Sequence, residues 1–156
     1  MKQSFWTGRE FTIKDENDLP AFKVVGQFFS WGHKLRMYDA REREVAYIEQ
    51  KLLTLKPRFE IYREGRRFAE VVKEWSWFDK SFTLDVPGPN DYAIEGSFWS
   101  HEYTFTRKGR RVAEVSKRFW SWSDTYGIDV APGEDDVAIL ATCVVIDLVC
   151  HEGDGD

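Results

Sequence analysis

No group of side chains in this sequence has the spacing of a catalytic or metal-binding site. The histidines His33, His101 and His151 are scattered without metal-ligand spacing and read as surface or turn residues. Cys143 and Cys150 both lie in one apolar stretch, so no Cys/His zinc pattern forms. Seven residues apart on a helix, they share a face as buried free thiols, and helix geometry disfavours a disulfide between them. The tail His151-Glu152-Gly153-Asp154-Gly155-Asp156 alternates acids but lacks the closing Glu and following helix of a calcium loop, and reads as a frayed solubilising end. No serine sits in a nucleophile elbow, and no glycine-rich loop leads into a helix as phosphate binding requires. Asp135-Asp136 is better explained as a helix cap than as an acid–base pair. These features predict no catalytic residue, no metal and no cofactor.

Cationic turns are the residues best suited to chemistry of another kind. Arg63, Arg66 and Arg67 flank one turn, and Arg107, Lys108, Arg110 and Arg111 flank another. In an up-and-down meander both turns emerge at the same end, where together they could grip an anionic phospholipid headgroup, a small ligand or an acidic protein surface. Against this stands the ordinary use of Lys and Arg at hairpins to keep edges soluble. Trp75 with Trp77, and Trp120 with Trp122, offer a second handle, either packed inward or facing a partner at the rim. Asp147 interrupts an apolar run, and either finds a buried partner or marks the point where a helix leaves the core.

The elements that position these residues follow from a repeat. Arg63-Glu64-Gly65-Arg66-Arg67-Phe68-Ala69-Glu70-Val71 aligns with Arg107-Lys108-Gly109-Arg110-Arg111-Val112-Ala113-Glu114-Val115, and a Trp-Ser-Trp follows each. A shorter period underlies it: Phe11/Ile13, Leu35/Met37, Phe59/Ile61, Phe82/Leu84, Tyr103/Phe105 and Tyr126/Ile128. Between these pairs sit Ala21, Ala46, Ala69, Ala93 and Ala113. Alternation with period two, bounded by Gly, Pro, Asn and Asp, is the pattern of half-buried strands. A unit of about 23 residues accommodates two strands and two turns, and six units predict about twelve antiparallel strands. Glu64-Gly65 and Lys108-Gly109 suit tight hairpins, while Pro87-Gly88-Pro89-Asn90 and Pro132-Gly133 break the chain.

Residues 137–150 are different, being almost wholly apolar and without a turn signal. That length suits a helix, with Glu134-Asp135-Asp136 supplying its cap and favourable charge. A helix apolar on every side must be buried or in a membrane, and this one is shorter than the roughly 20 residues a bilayer requires. About twelve strands closed into a barrel leave an interior wide enough to hold it. The expected architecture is therefore mainly β: a closed antiparallel barrel of about twelve strands around a hydrophobic C-terminal helix. It would form one domain over residues 1–156, with barrel strands in 1–133, the helix in 134–150 and the acidic tail in 151–156. A formal charge of −5 argues against nucleic acid. The start, Met1-Lys2-Gln3-Ser4-Phe5-Trp6, lacks the apolar core of a signal peptide, which gives a cytoplasmic expectation and no membrane-spanning segment. Oligomeric state is not readable from these features.

Several segments together resemble the LURP-one-related proteins in their bacterial form, relatives of the tubby C-terminal domain and the phospholipid scramblases. They are Phe29-Ser30-Trp31-Gly32 with Leu35, Ile48-Glu49-Gln50-Lys51-Leu52-Leu53, Pro57-Arg58-Phe59-Glu60-Ile61-Tyr62, Ile94-Glu95-Gly96-Ser97-Phe98-Trp99, Tyr126-Gly127-Ile128-Asp129-Val130, and the terminal helix running into Asp147 and His151. The resemblance covers nearly the whole chain and implies a tubby-like barrel of twelve strands around the helix. It implies no enzymatic activity. Tubby-like members bind phosphoinositides through basic residues on the barrel, whereas the Pro-rich N-terminus and Cys-rich stretch of scramblases have no counterpart here. The resulting expectation is a non-enzymatic binding module for an anionic phospholipid headgroup or small ligand at a rim; a protein-interaction domain without a small ligand is the alternative.

The eight large aliphatics between Val137 and Val149 would contribute roughly 12–24 kcal/mol gross on burial. A chain truncated after Gly133 is therefore expected to be insoluble or molten. A cooperative melt of that fragment near the full-length temperature would refute the helix-filled core.

Overall fold

The computed structural model of the chain describes residues 2–7, 10–29, 32–74, 81–117 and 126–151. Among them are twelve strands and one helix. The strands are β1 Lys2–Thr7, β2 Glu10–Lys14, β3 Pro20–Phe29, β4 Gly32–Asp39, β5 Glu44–Lys51, β6 Arg58–Arg63, β7 Arg66–Glu74, β8 Ser81–Asp85, β9 Tyr92–Ser97, β10 Glu102–Arg107, β11 Arg110–Ser116 and β12 Gly127–Val130, and the helix is α1, Asp136–His151. Each strand pairs antiparallel with its sequence neighbour, and β1 also pairs with β12, so the order returns to its start. Among the described residues that seam is a single register pair of Lys2 with Gly127, where β3 and β4 share eight. One antiparallel sheet with a single C-terminal helix agrees with the expected class, and the expected closure rests on the one pair.

The period read from the sequence is the inward face of the sheet. Phe11 and Ile13, Leu35 and Met37, Phe59 and Ile61, Phe82 and Leu84, Tyr103 and Phe105, and Tyr126 and Ile128 are all buried. All but Tyr126, which immediately precedes β12, lie on even-numbered strands. Small residues face several of them across the ladder: Ala46 opposite Met37, Ala69 opposite Ile61 and Ala113 opposite Phe105. Large facing small leaves room at the axis for the helix. Two alanines of the expected set behave otherwise. Ala21 is half-buried, and Ala93 faces solvent because β9 turns Ile94 inward opposite Phe82.

The ladders between β2 and β3, β4 and β5, β6 and β7, and β10 and β11 each shift register just after the second inward residue, at Ile13, Met37, Ile61 and Phe105. Such bulges sharpen the right-handed twist and coil a sheet toward its own face. They recur at the end of the molecule where α1 begins. Both expected tight hairpins are present there: Glu64 and Gly65 have φ of 50° and 72°, Lys108 and Gly109 52° and 75°. Two consecutive positive values match the type I′ turn, whose twist follows the strands it joins.

The helix begins at Asp136 rather than 134 and extends to His151. Asp135 is its cap, accepting a 3.1 Å bond from the Ala138 N–H. From Ala138 to Ile146 every residue is buried, Thr142 included. The Thr142 hydroxyl donates to the Ala138 carbonyl at 2.7 Å, so no polar atom there is left unbonded. Cys143 and Cys150 are buried free thiols, as their spacing implied. No helix among the described residues is long and apolar enough to cross a membrane.

At Gly96 the φ is 141°, and a Cβ there would lie 2.4 Å from the Glu102 carbonyl oxygen and 2.6 Å from the Tyr103 Cα. A Cβ on Gly65 would meet nothing within 4 Å. Gly96→Ala is therefore expected to cost on the order of 3 kcal/mol, through clash and backbone strain together. Gly65→Ala should cost about 1–2 kcal/mol from the left-handed backbone alone. Chemical denaturation of both variants checks the ranking, and an equal loss would contradict the close approach of β9 to β10.

Candidate functional site

Both cationic turns lie at the end where α1 enters the sheet, and the structure divides their seven residues into two kinds. Arg63 and Arg107 are turned onto the residues that precede the helix. Arg63 donates from Nη1 and Nη2 to Asp135 Oδ2 and Oδ1 at 2.8 and 2.5 Å, and its guanidinium lies 4.2 Å over the Phe68 ring. Arg107 Nη2 donates to Glu134 Oε1 at 2.7 Å, and the Tyr92 hydroxyl donates to the other oxygen at 3.2 Å. Two hairpins 44 residues apart in the chain (Arg63 to Arg107) thus hold adjacent carboxylates at one helix terminus. These arginines grip the residues that open the protein's own helix.

Arg67 and Arg111 are tied to carboxylates on their own strands and, for Arg67, on the neighbouring β6. Arg67 lies 3.2 Å from Glu70 and 3.7 Å from Glu60, and Arg111 lies 3.2 Å from Glu114. Arg66, Lys108 and Arg110 are exposed and form no ion pair with a described residue. No local pattern separates these three from the other four, since the carboxylates that neutralise the helix-bound pair lie 72 and 27 residues away. The acidic run at 134–136 was the available signal, because it must sit where even-numbered strands end.

Burial pushes the Asp135 carboxyl up, but the hydrogen bonds from Arg63 and from the Ala138 N–H, with the guanidinium charge, outweigh it and leave the carboxyl below its ordinary range. The Glu134 hydrogen bond holds Arg107 above its usual value.

A groove of about 470 Å³ lies beside this end, on the outer face of β4, β5 and β6. Arg36 donates to Glu44 at 2.9 Å and lies 4.8 Å over the Tyr47 ring, which itself stands 5.9 Å from the Tyr62 ring. Glu49 and Glu64 complete the polar lining, so the groove favours cationic groups over anions. The Tyr62 hydroxyl donates to Glu60, which pushes the phenol up to about 12 and the carboxyl down.

At the far end of the helix, Asp147 does more than mark an exit. The Tyr126 hydroxyl donates to its Oδ2 at 2.5 Å, and His101 Nε2 lies 3.3 Å from Oδ1. The His101 and Tyr126 rings stack at 4.4 Å. Cys143 stands one helical turn above, but burial pushes its thiol strongly upward, which removes the thiolate a nucleophile needs. No group of three or more His, Cys, Asp or Glu among the described residues could hold a metal ion. Trp75, Trp77, Trp120 and Trp122 lie outside the described residues, as do the side chain of His151 and the acidic tail.

A model of the LURP-one-related family matches residues 1–147. A Bacillus subtilis (strain 168) relative, named "Uncharacterized protein YxjI", is 34% identical over 157 residues, an alignment that spans all of this chain and 95% of that protein. An X-ray structure of a protein from Arabidopsis thaliana superposes with a TM-score of 0.73, covering 94% of this chain and 88% of that one at 18% identity. At that identity the likeness is one of fold.

The Arg63–Asp135 pair sets an acid limit on stability. A carboxyl whose folded value is depressed stabilises the protein above its unfolded value, and that contribution is lost as pH falls through the folded one. Arg63→Gln should flatten the acid limb of the stability curve below the ordinary aspartate range. A double-mutant cycle with Asp135→Asn should give a coupling of roughly 1–3 kcal/mol. No measurable coupling would show that the clamp does not hold the helix.

Proposed function

The chain belongs to the LURP-one-related family, and from that premise we propose that it is a non-enzymatic binding module whose ligand presents an anionic group at the helix-entry end. Arg66, Lys108 and Arg110 are the residues that would meet this group. One observation carries the reading: these three cations stay unpaired among the described residues while the same hairpins are fixed to the helix through Arg63 and Arg107. A rigid mount for free cations lowers the ordering cost of binding an anion. Arg67 and Arg111 stand next to them, already matched to carboxylates on their own strands, and would add long-range attraction without direct contact.

The anion is either the headgroup of an anionic phospholipid or a soluble small molecule bearing phosphate or carboxylate. In the same reading the sheet works as a closed barrel over one domain, residues 1–156. The same reading takes the protein to be cytoplasmic. A protein-interaction role without a small ligand is the second reading, favoured by the carboxylate- and tyrosine-lined groove outside β4–β6, which suits a basic partner surface.

Titration with phosphatidylglycerol vesicles and with glycerol phosphate, each at two salt concentrations, tests the first reading and tells the two sources apart. Binding should weaken steeply with salt, and Arg66→Gln/Lys108→Gln/Arg110→Gln should reduce it at least about tenfold without lowering the melting temperature. No binding of either probe at low salt would remove the anion reading and favour the protein partner.

A further inference from the structure

The opposite end of the molecule carries a feature that the anion reading does not use. The link between β5 and β6 runs Leu52-Leu53-Thr54-Leu55-Lys56-Pro57. Leu53 and Leu55 are essentially fully exposed, at 106% and 98%, and Leu52 at 49%. Large aliphatics at such exposure, three within four residues, are a concentrated apolar tip rather than the scattered single residues of an ordinary surface.

The tip is also shaped. The Thr54 hydroxyl donates to the Lys56 carbonyl at 2.7 Å. The Lys73 N–H donates to the Pro57 carbonyl at 3.0 Å, and Leu52 lies against Gly32. Leu53 adopts φ of 60°, a left-handed backbone that a leucine disfavours. The loop therefore displays Leu53 and Leu55 outward in a conformation with a local cost, where folding inward would have buried them. Lys51, Lys56 and Arg58 flank it, their side chains 40%, 36% and 40% exposed. Each is matched by a carboxylate on the strands: Glu60 at 3.6 Å, Glu74 at 2.5 Å and Glu70 at 2.6 Å. Trp99, 44% exposed, stands in the β9–β10 turn at the same end.

We propose that the Leu53–Leu55 tip docks the protein on a lipid bilayer, the leucines entering the interfacial region while Lys51 and Lys56 remain among the headgroups. Three features select this occupant. A six-residue tip offers far less than the roughly 800 Å² per partner of a standard protein interface, whereas a bilayer needs only a few inserted side chains. Leu53 and Leu55 stand essentially clear of the rest of the protein, which suits insertion into a deformable phase. Long ammonium stems beside the leucines can extend along an apolar surface with their charges in water. Because those cations are already paired, attraction to anionic lipid is weak and apolar insertion supplies the affinity. Binding here is consequently only weakly salt-dependent, unlike binding at the hairpins. β6 alone separates the two ends by about 20 Å, so a bilayer at the leucine tip leaves Arg66, Lys108 and Arg110 facing away from it.

Flotation of the full chain with phosphatidylcholine vesicles, with and without phosphatidylglycerol, at low and high salt, tests the docking. The wild type should float with phosphatidylcholine vesicles at both salts. On these neutral vesicles Leu53→Ser/Leu55→Ser should lose at least about tenfold in partitioning with an unchanged melt, while Arg66→Gln/Lys108→Gln/Arg110→Gln floats like the wild type. A wild type that stays with the unbound fraction, or a leucine variant that floats as well as the wild type, overturns the proposal. Loss of binding in the hairpin variant alone overturns it too and leaves the anion reading standing. Sedimentation velocity adds a further outcome: self-association abolished by the leucine substitutions, with no vesicle binding, would assign the tip to a second copy and overturn the bilayer.

Discussion

A helix apolar on every side has no stable place in water, and a wide sheet with large inward side chains has no stable interior without something to fill it. Each element here supplies what the other lacks. Ile139, Leu140, Val145 and Ile146 on α1 are fully buried among Ile13, Met37, Ile61, Leu84 and Phe105 from five different strands. The alternation of large and small inward residues, Ile61 across from Ala69 and Phe105 across from Ala113, follows from this arrangement, because bulky residues on every strand would close the axis. The repeated register shifts answer the same demand by coiling the sheet round its filler.

Apolar burial has no direction, so a greasy rod against a greasy sheet has no preferred depth. Polar contacts give it one. Asp135 and Glu134 are held by Arg63 and Arg107 at the entry, and Asp147 is met by Tyr126 and His101 near the exit. A shift of one helical turn, about 5.4 Å, would break every one of these contacts and bury charges without partners. Arg63 and Arg107 thus serve position.

The fold was legible because its signals are local and repeated. Inward pairs such as Phe59/Ile61 recur in step with the strands, turn residues fall between them, and the length and all-round hydrophobicity of residues 137–150 exclude a strand. Ala93 shows where periodic reading fails: it continues the alanine series in sequence but faces solvent, because the register of β8 with β9 places Ile94 inward. The candidate site was legible only in part. The turns were found, yet the division of their arginines depends on ion pairs across 27 and 72 residues, which no local pattern encodes. Asp147 was visible as an anomaly in an apolar run, while its partners, Tyr126 and His101, became neighbours only through the closure of distant turns.

Because α1 follows all twelve strands in the chain, synthesis delivers the wall before its filling. While residues 136–151 are still being made, the inward faces of β2 to β12 have no core to cover them, and β1 waits for its partner β12, made some 120 residues later (Thr7 to Gly127). At a translation rate of roughly 5–20 residues per second that interval lasts several seconds or more. Throughout it the nascent chain exposes rows of unpaired strand edge and aromatic surface, the surfaces on which chaperones act and from which aggregates grow. A fold that completes itself with its last element must therefore assemble largely after the strands have left the ribosome, and a premature stop before the helix yields a wall that has nothing to enclose.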